Sequence, residues 1–169
     1  MTLINKKDKI FIAGGGGMVG TAIIKELFNY GYQDLQYPSR KELDLSNKKL
    51  VFDWFREKKP NIVVLAAAKV GGIYANNKYP LDFLLENLKI QNNVIEGAWK
   101  HNVRRLLFLG SSCIYPKFSS QPIKEDELLK GPLEKTNEWY ALAKISGIKL
   151  CQALRKQYDF DAISLMPTN

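Results

Sequence analysis

The sequence contains few residues that could form covalent crosslinks or hold a metal ion. Its 169 residues include two cysteines, Cys113 and Cys151, and a single histidine, His101. The cysteines lie far apart and have no metal-ligand spacing, so we predict free thiols and no metal site. His101 falls at the end of a predicted helix, where an imidazole interacts favourably with the helix dipole.

Long apolar runs are also missing from the sequence. No stretch approaches the ~20 residues that a helix needs to cross a bilayer, so we expect no association with a membrane. Residues 1–9 are polar and lack the apolar segment of a secretory signal. With its free thiols, the chain is therefore expected to be cytoplasmic.

The charge is strongly positive but is not concentrated in one place. The net charge is +8, and many basic residues occur as short pairs such as Lys48-Lys49 and Arg104-Arg105. A nucleic-acid-binding protein remains an alternative that rests on this charge alone, because no long basic stripe interleaved with aromatic residues is present. We therefore predict no nucleic-acid partner and a general preference for small anionic ligands.

Strand and helix patterns alternate along the chain, whose length fits a single domain over residues 1–169. Apolar runs predict buried strands at 10–13, 35–37, 62–66, 106–109 and 162–166. Helical periodicity predicts helices at about 19–30, 47–58, 80–100 and 137–158. A glycine-rich loop is expected around residues 71–72, and a polar loop with some local helix at 111–132. This alternation predicts an α/β fold, a Rossmann-type doubly wound parallel sheet.

A glycine-rich loop joins the first predicted strand to the first predicted helix. It has the spacing Gly14-x-x-Gly17-x-x-Gly20. Gly14 allows a tight turn, Gly17 removes a side chain where a pyrophosphate must approach, and Gly20 allows close packing of the helix on the strand. The N-terminus of the helix then offers N–H groups to a phosphate. The context predicts a dinucleotide-binding loop rather than a purely structural turn.

The residues after the second strand indicate which dinucleotide binds. An NAD site usually has Asp or Glu at this point to hold the ribose 2′-OH, whereas here Arg40 follows Tyr37 within a few residues. An arginine can pair with a 2′-phosphate, so Arg40 favours NADP(H). The alternative is that Arg40 is an ordinary solvated surface charge.

Three further residues form a catalytic pattern. Tyr140 and Lys144 lie four residues apart and so share one face of a helix. A neighbouring ammonium lowers the pKa of a phenol, so we expect Tyr140 to exchange protons near neutral pH and Lys144 to bind a ribose as well. Ser111 follows a predicted strand, at the edge where ligands bind in open α/β sheets. Together these residues predict hydride transfer at a carbonyl, with Tyr140 as acid or base.

These motifs resemble the GDP-L-fucose synthase family of extended short-chain dehydrogenases/reductases. The resemblance extends over residues 10–169. It rests on the segments Phe11-Ile12-Ala13-Gly14, Gly17-Met18-Val19-Gly20, Leu65 to Ile73, Leu106 to Pro116 and Met166-Pro167-Thr168-Asn169.

The resemblance implies an activity and a set of site residues. The family epimerises GDP-4-keto-6-deoxy-D-mannose at C3 and C5 and reduces C4 with NADPH, giving GDP-L-fucose. It implies that Ser111, Tyr140 and Lys144 perform the reduction and that Cys113 is an acid/base group for epimerisation, whereas chemistry alone favours a small core residue at position 113. The residues expected to bind NADP(H) are Gly14, Gly17, Met18, Val19, Gly20, Arg40, Ala67 and Lys144. Where the family has an arginine before the second glycine of the loop, this chain has Gly16.

The resemblance also implies an incomplete enzyme. The family has a C-terminal domain that binds the GDP-sugar and a histidine partner for the cysteine, and we expect both to be absent from this chain. We therefore expect an NADP(H)-binding domain that is inactive alone, with apolar surface exposed on its sheet. The alternatives are another NAD(P)-dependent nucleotide-sugar epimerase or dehydratase, or an inactive dinucleotide-binding fragment. Family members are generally homodimers joined through two long helices, for which 80–100 and 137–158 are the candidates.

Overall fold

Five parallel strands form a single sheet. The computed structural model describes residues 4–167. The strands are β1 (Ile10–Ala13), β2 (Leu35–Gln36), β3 (Ile62–Leu65), β4 (Arg105–Leu109) and β5 (Ala162–Leu165), in the spatial order β2-β1-β3-β4-β5. All neighbouring pairs are parallel. The order reverses between β1 and β3, which is where ligands bind in sheets of this kind. The predicted Rossmann-type sheet is confirmed.

Five helices connect the strands or follow them. They are α1 (Met18–Asn29), α2 (Lys48–Lys58), α3 (Ile73–Lys78), α4 (Pro80–Lys100) and α5 (Glu138–Tyr158). Two single-turn 3₁₀ helices, Ser112–Ile114 and Glu125–Glu127, lie in the predicted polar loop. The predicted ends of the domain and the motif residues Thr168 and Asn169 fall outside the described residues.

The helix boundaries follow from local signals in the sequence. Gly31 has a φ of 80°, a left-handed conformation that ends helix α1 two residues earlier, at Asn29. The side chain of Asn47 caps α2 by accepting a hydrogen bond of 3.2 Å from the backbone N–H of Leu50. The ring of His101 closes α4, with Nδ1 2.8 Å from the carbonyl oxygen of Gly97. These contacts confirm the predicted ends of the three helices.

The two faces of the sheet are covered unequally. Phe11, Val63 and Phe108 lie in the larger core, which includes side chains of α2, α4 and α5. Alternate strand residues such as Ile12 and Val64 point to the opposite face and pack with α1. On that face the side chains of β4 and β5 are less well covered, and Leu165 is 48% exposed. The expected apolar exposure is therefore present at the β5 edge.

One helix was not predicted from the sequence. The glycine-rich segment continues into α3, whose six residues begin directly after Gly72. The amide of Asn76 supports this turn, because its Nδ2 donates to the carbonyl oxygens of Gly71 and Gly72 at 2.7 and 3.2 Å. Ile73 and Tyr74 are largely exposed, so α3 lacks the apolar face from which a helix is recognised. Within residues 4–167, no helix combines the length and apolar character required to span a membrane.

Candidate active site

The turn between β1 and α1 is packed so tightly that two of its glycines have no substitute. Gly14 has a φ of 94°, and a Cβ on it would lie 2.6 Å from the backbone nitrogen of Ala67. A Cβ on Gly20 would lie 2.2 Å from the carbonyl oxygen of Gly14. Ala67 follows β3, so these contacts bring the β1–α1 turn against the loop after β3. Both glycines are therefore required by the protein's own backbone.

The glycines in the middle of the loop face a different environment. A Cβ on Gly16 would meet nothing within 4 Å, and one on Gly17 would make an ordinary contact of 3.4 Å. Gly17 is the N-cap of α1, whose first turn has no acidic side chain. Met18 and Val19 begin the helix and are 88% and 44% exposed. The helix N-terminus is therefore open, and its free N–H groups suit an anion.

Ser111 and Cys113 lie just beyond the end of β4. Ser111 is the N-cap of the 3₁₀ helix that contains Cys113. Its Oγ accepts a hydrogen bond of 3.5 Å from the backbone N–H of Cys113. Both side chains are half-buried at the carboxyl edge of the sheet, the same edge as the glycine loop.

Lys144 is a buried cation. It lies on α5 and is 3% exposed, and its Nζ donates a hydrogen bond of 2.7 Å to the carbonyl oxygen of Leu109 at the end of β4. Burial lowers the pKa of Lys144 to about 8, although the neighbouring Cys113 acts in the opposite direction. The Nζ also lies 5.7 Å from the ring centre of Tyr140.

The electrostatic prediction for Tyr140 is wrong. The proximity of Lys144 was expected to lower the pKa of the phenol, but burial raises the pKa of Tyr140 to about 12 and Cys113 adds to this. Desolvation penalises the charged phenolate, and the four-residue spacing from Lys144 does not offset this penalty. Tyr140 therefore keeps its proton at neutral pH.

Cys113 is also held in its protonated form. Burial raises the pKa of its thiol, whereas the hydrogen bond from Ser111 and the charge of Lys144 lower it. Cys113, Tyr140 and Lys144 thus influence one another, and the structure brings all four predicted catalytic residues to one place. Cys151, in contrast, is fully buried in the core, as predicted.

Arg40 lies apart from this group, in the loop between β2 and α2. Its side chain is 78% exposed, and Nη2 is 3.0 Å from Oε1 of Glu86 on α4. The other oxygen of Glu86 is 3.1 Å from Nζ of Lys69, which lies in the loop after β3. Glu86 therefore connects the loops that follow β2 and β3, the two strands on either side of β1.

Comparison with known proteins agrees with this arrangement. Residues 10–169 match the NAD dependent epimerase/dehydratase family. The chain belongs to this family.

Individual relatives of the epimerase/dehydratase family are highly similar over half their length. The chain is 56% identical to GDP-L-fucose synthase 1 of Arabidopsis thaliana, over 99% of this chain and 52% of that protein. It is 53% identical to GDP-L-fucose synthase of Escherichia coli, over 96% of this chain and 51% of that protein. A solved GDP-mannoheptose C4 reductase from Campylobacter jejuni with NADP bound superposes with a TM-score of 0.95 at 39% identity, covering 98% of this chain and 52% of that one. The chain therefore spans about half the length of the curated relatives it matches.

Two buried polar residues that position the candidate site, Asn87 and Gln91, were not predicted from the sequence. Asn87 is 2% exposed, and its side chain accepts from the backbone N–H of Lys69 at 2.8 Å and donates to the carbonyl of the same residue at 3.0 Å. Gln91 is equally buried and donates to the carbonyl oxygen of Ala143 at 2.6 Å, one residue before Lys144. Both occupy the apolar side of α4, and a polar side chain there is the signal that could have identified them.

Proposed function

We propose that this chain binds NADP(H) across the reversal point of its sheet. The observation that carries the proposal is the open space at Gly16 and Gly17, beside glycines that the backbone itself requires at 14 and 20. A side chain at 17 would fit the protein but would lie at the N-cap of α1, where a pyrophosphate must approach, whereas position 16 has open space around it. The residues present therefore fit a pyrophosphate, which would be held by the loop and by the N–H groups of Met18 and Val19.

Arg40 and Lys144 would bind the remainder of the dinucleotide. Arg40 follows β2, has no acidic residue immediately before it, and is the cation available for a ribose 2′-phosphate. Lys144 projects from α5 toward the end of β4 and would bind the nicotinamide ribose, and Ala67 borders the glycine turn. The NADP bound to the similar C. jejuni reductase supports this choice of cofactor.

The chemistry proposed for this site is reduction of a ketone. When bound, NADPH supplies the hydride. Tyr140 holds a proton at neutral pH because its pKa is about 12, so it can protonate the oxygen of the developing alkoxide. Ser111 would donate a hydrogen bond to the same oxygen, and the ammonium of Lys144 would stabilise the tyrosinate formed when the proton leaves.

Cys113 is proposed to serve the epimerisation. A proton α to a ketone is acidic, and inversion requires one group to remove it and another to return a proton to the opposite face. The raised pKa of Cys113 keeps the thiol protonated, which suits the group that returns the proton. The group that removes it would come from outside these 169 residues.

The substrate proposed for the whole protein is GDP-4-keto-6-deoxy-D-mannose, and the product is GDP-L-fucose. Relatives that are 53–56% identical are named GDP-L-fucose synthases, and in this chain Cys113 would provide an acid for the proposed inversions at C3 and C5. A second candidate is a C4 reductase that leaves C3 and C5 unchanged, favoured by the 39% identical heptose reductase. Exchange of the C3 and C5 protons with deuterated water would separate them, because a simple reductase gives none.

We propose that residues 1–169 are the cofactor-binding part and that the GDP-sugar is bound mainly by a further domain. This is supported by the half-length match to the relatives. We further propose a cytoplasmic homodimer, supported by two free thiols and by apolar side chains that α4 and α5 expose, among them Leu81, Leu85 and Trp139. Sedimentation equilibrium would test the dimer, and a monomer at high concentration would contradict it for this chain.

The proposed function is tested first by cofactor binding and then by turnover. NADPH is titrated into the chain and followed by its own fluorescence, with Gly20→Ala as a variant whose loop is disrupted. GDP-4-keto-6-deoxy-D-mannose is then added and NADPH absorbance is followed, with Tyr140→Phe as the control. We expect binding without oxidation. Absence of NADPH binding would contradict the proposal, and Tyr140-dependent oxidation would refute the assignment of the sugar site to a further domain.

A further inference from the structure

Glu86 occupies an unusual position between two cations. Its side chain is 23% exposed, and each of its oxygens contacts a different basic residue, Arg40 at 3.0 Å and Lys69 at 3.1 Å. Arg40 follows β2 and Lys69 follows β3, so the two cations come from loops on either side of β1. A single carboxylate thus joins both loops to α4.

The two partners of Glu86 are not held equally. The backbone of Lys69 is fixed by the buried amide of Asn87, the next residue on α4, and its Nζ also lies 3.5 Å from Asp82. The contact with Glu86 raises the pKa of Lys69, so this cation stays charged. Arg40 has only Glu86 within ion-pair distance among the described residues, and its side chain is 78% exposed. The ion pair with Arg40 is therefore the one that can be exchanged for another anion.

The carboxylate of Glu86 binds Arg40, the side chain that the phosphate of NADP(H) is expected to contact. Under the proposed function, the ribose 2′-phosphate is the group that Arg40 recognises. A phosphate monoester has a charge between about −1.5 and −2 at neutral pH. It would have to displace Glu86 from Arg40 and would be repelled by the same carboxylate.

We propose that Glu86 is a specificity-determining residue that lowers the preference for NADPH over NADH by competing with the 2′-phosphate for Arg40. This inference rests on the proposed function, since it assumes that NADP(H) binds at the glycine loop. NADH has no 2′-phosphate, so its affinity is independent of this competition. Removal of the charge at position 86 therefore changes the ratio of the two affinities and not only their level.

The test uses the isosteric variant Glu86→Gln and a matched control on the same helix. Glu96→Gln removes the same charge, but Glu96 pairs with Lys48 and not with the two loops. Dissociation constants for NADPH and NADH are measured by fluorescence titration at low salt. We expect Glu86→Gln to tighten NADPH binding about three- to tenfold, because an exposed charge pair contributes only modestly to a binding free energy. The dissociation constant for NADH should change by less than about twofold. Glu96→Gln should leave both within about twofold.

Arg40 provides the second arm of the experiment. In an Arg40→Ala background, Glu86→Gln still removes the repulsion between the carboxylate and the 2′-phosphate, but there is no arginine left to compete for. Most of the gain in NADPH affinity should therefore disappear. The gain should also shrink in about 0.5 M salt, where exposed charges are screened. Thermal unfolding of each variant verifies that the fold is retained.

The outcomes separate the two proposals. If the wild-type chain binds neither NADPH nor NADH, the proposed function fails. If the wild type binds NADPH but Glu86→Gln leaves the NADPH/NADH ratio unchanged, or tightens both cofactors equally, the role of Glu86 is refuted and cofactor binding stands. A full gain that persists without Arg40 also refutes competition for that arginine.

Discussion

Replacement of Lys144 by methionine should change how stability depends on pH. Methionine matches the length and apolar stem of lysine but has no charge. In the folded chain, burial lowers the pKa of Lys144 from 10.5 to about 8. At neutral pH this difference corresponds to about 3 kcal/mol of unfavourable free energy for holding the ammonium inside the protein.

The direction of the pH effect follows from proton binding. Between pH values of about 8 and 10.5, the unfolded chain keeps a proton on Lys144 that the folded chain has released. The unfolded state therefore binds more protons, and stability contributed by this group rises with pH over that window. From about pH 7 to about pH 9.5 the wild type should gain about 2 kcal/mol relative to Lys144→Met.

The assay is urea unfolding followed by tryptophan fluorescence, with wild type and variant measured side by side at each pH. Titrating groups that do not contact Lys144 are shared by both proteins and largely cancel in the difference, and Cys113, whose pKa the charge of Lys144 lowers, is replaced by serine in both proteins. The loss of the hydrogen bond to Leu109 shifts the difference at every pH but does not alter its slope. A difference that stays flat to within about 0.5 kcal/mol between these pH values would refute a depressed pKa for Lys144.

Three further expectations concern the glycine loop and Cys113. Gly20→Ala should destabilise the chain by at least about 1–3 kcal/mol in a urea titration, since its Cβ would lie 2.2 Å from a backbone oxygen. Gly16→Ala should be nearly neutral in the same titration, because a Cβ at that position would lie in open space. Gly16→Arg should tighten NADPH but not NADH several-fold in a fluorescence titration, and a large loss of stability on substitution of Gly16 would contradict the open geometry at that position. Iodoacetamide at about pH 8 should alkylate Cys113 more slowly than a model thiol, because its pKa is raised, and Cys151 more slowly still. Mass spectrometry measures the rate of alkylation at each cysteine, and faster alkylation of Cys151 than of Cys113 would contradict this prediction.

The sheet, its strands and the four long helices could be predicted because their signals are local. Apolar runs of four or five residues mark buried strands, and caps or breakers such as Asn47, Gly31 and Pro60 mark helix ends. Helix α3 escaped prediction because its outward residues Ile73 and Tyr74 give it no amphipathic pattern. The meeting of Ser111 and Lys144 at one sheet edge also followed from the sequence, because both belong to recognisable motifs at predictable points of a βα fold.

The electrostatics of the site could not be predicted from spacing. The four-residue spacing of Tyr140 and Lys144 indicates proximity but says nothing of burial, and burial decides the pKa of both groups. Likewise, the pair between Arg40 and Glu86 joins residues 46 positions apart, so only the folded chain brings them together. Energies that depend on solvent exposure need the structure, whereas the order of secondary elements does not.

The buried polar residues give a reason, independent of any relative, to regard this edge of the sheet as a site. Among the residues that the structure describes, the three least exposed polar or charged side chains are Asn87, Gln91 and Lys144, at 2%, 2% and 3%. Each bonds to the backbone of a neighbouring element, and all three lie on α4 and α5 beside the ends of β3 and β4. Apolar residues of similar size would fill these positions at lower cost, because a buried polar group gives up its hydration. A fold that places such groups together keeps them for what they orient, which here is the loop of Lys69 and the ammonium of Lys144.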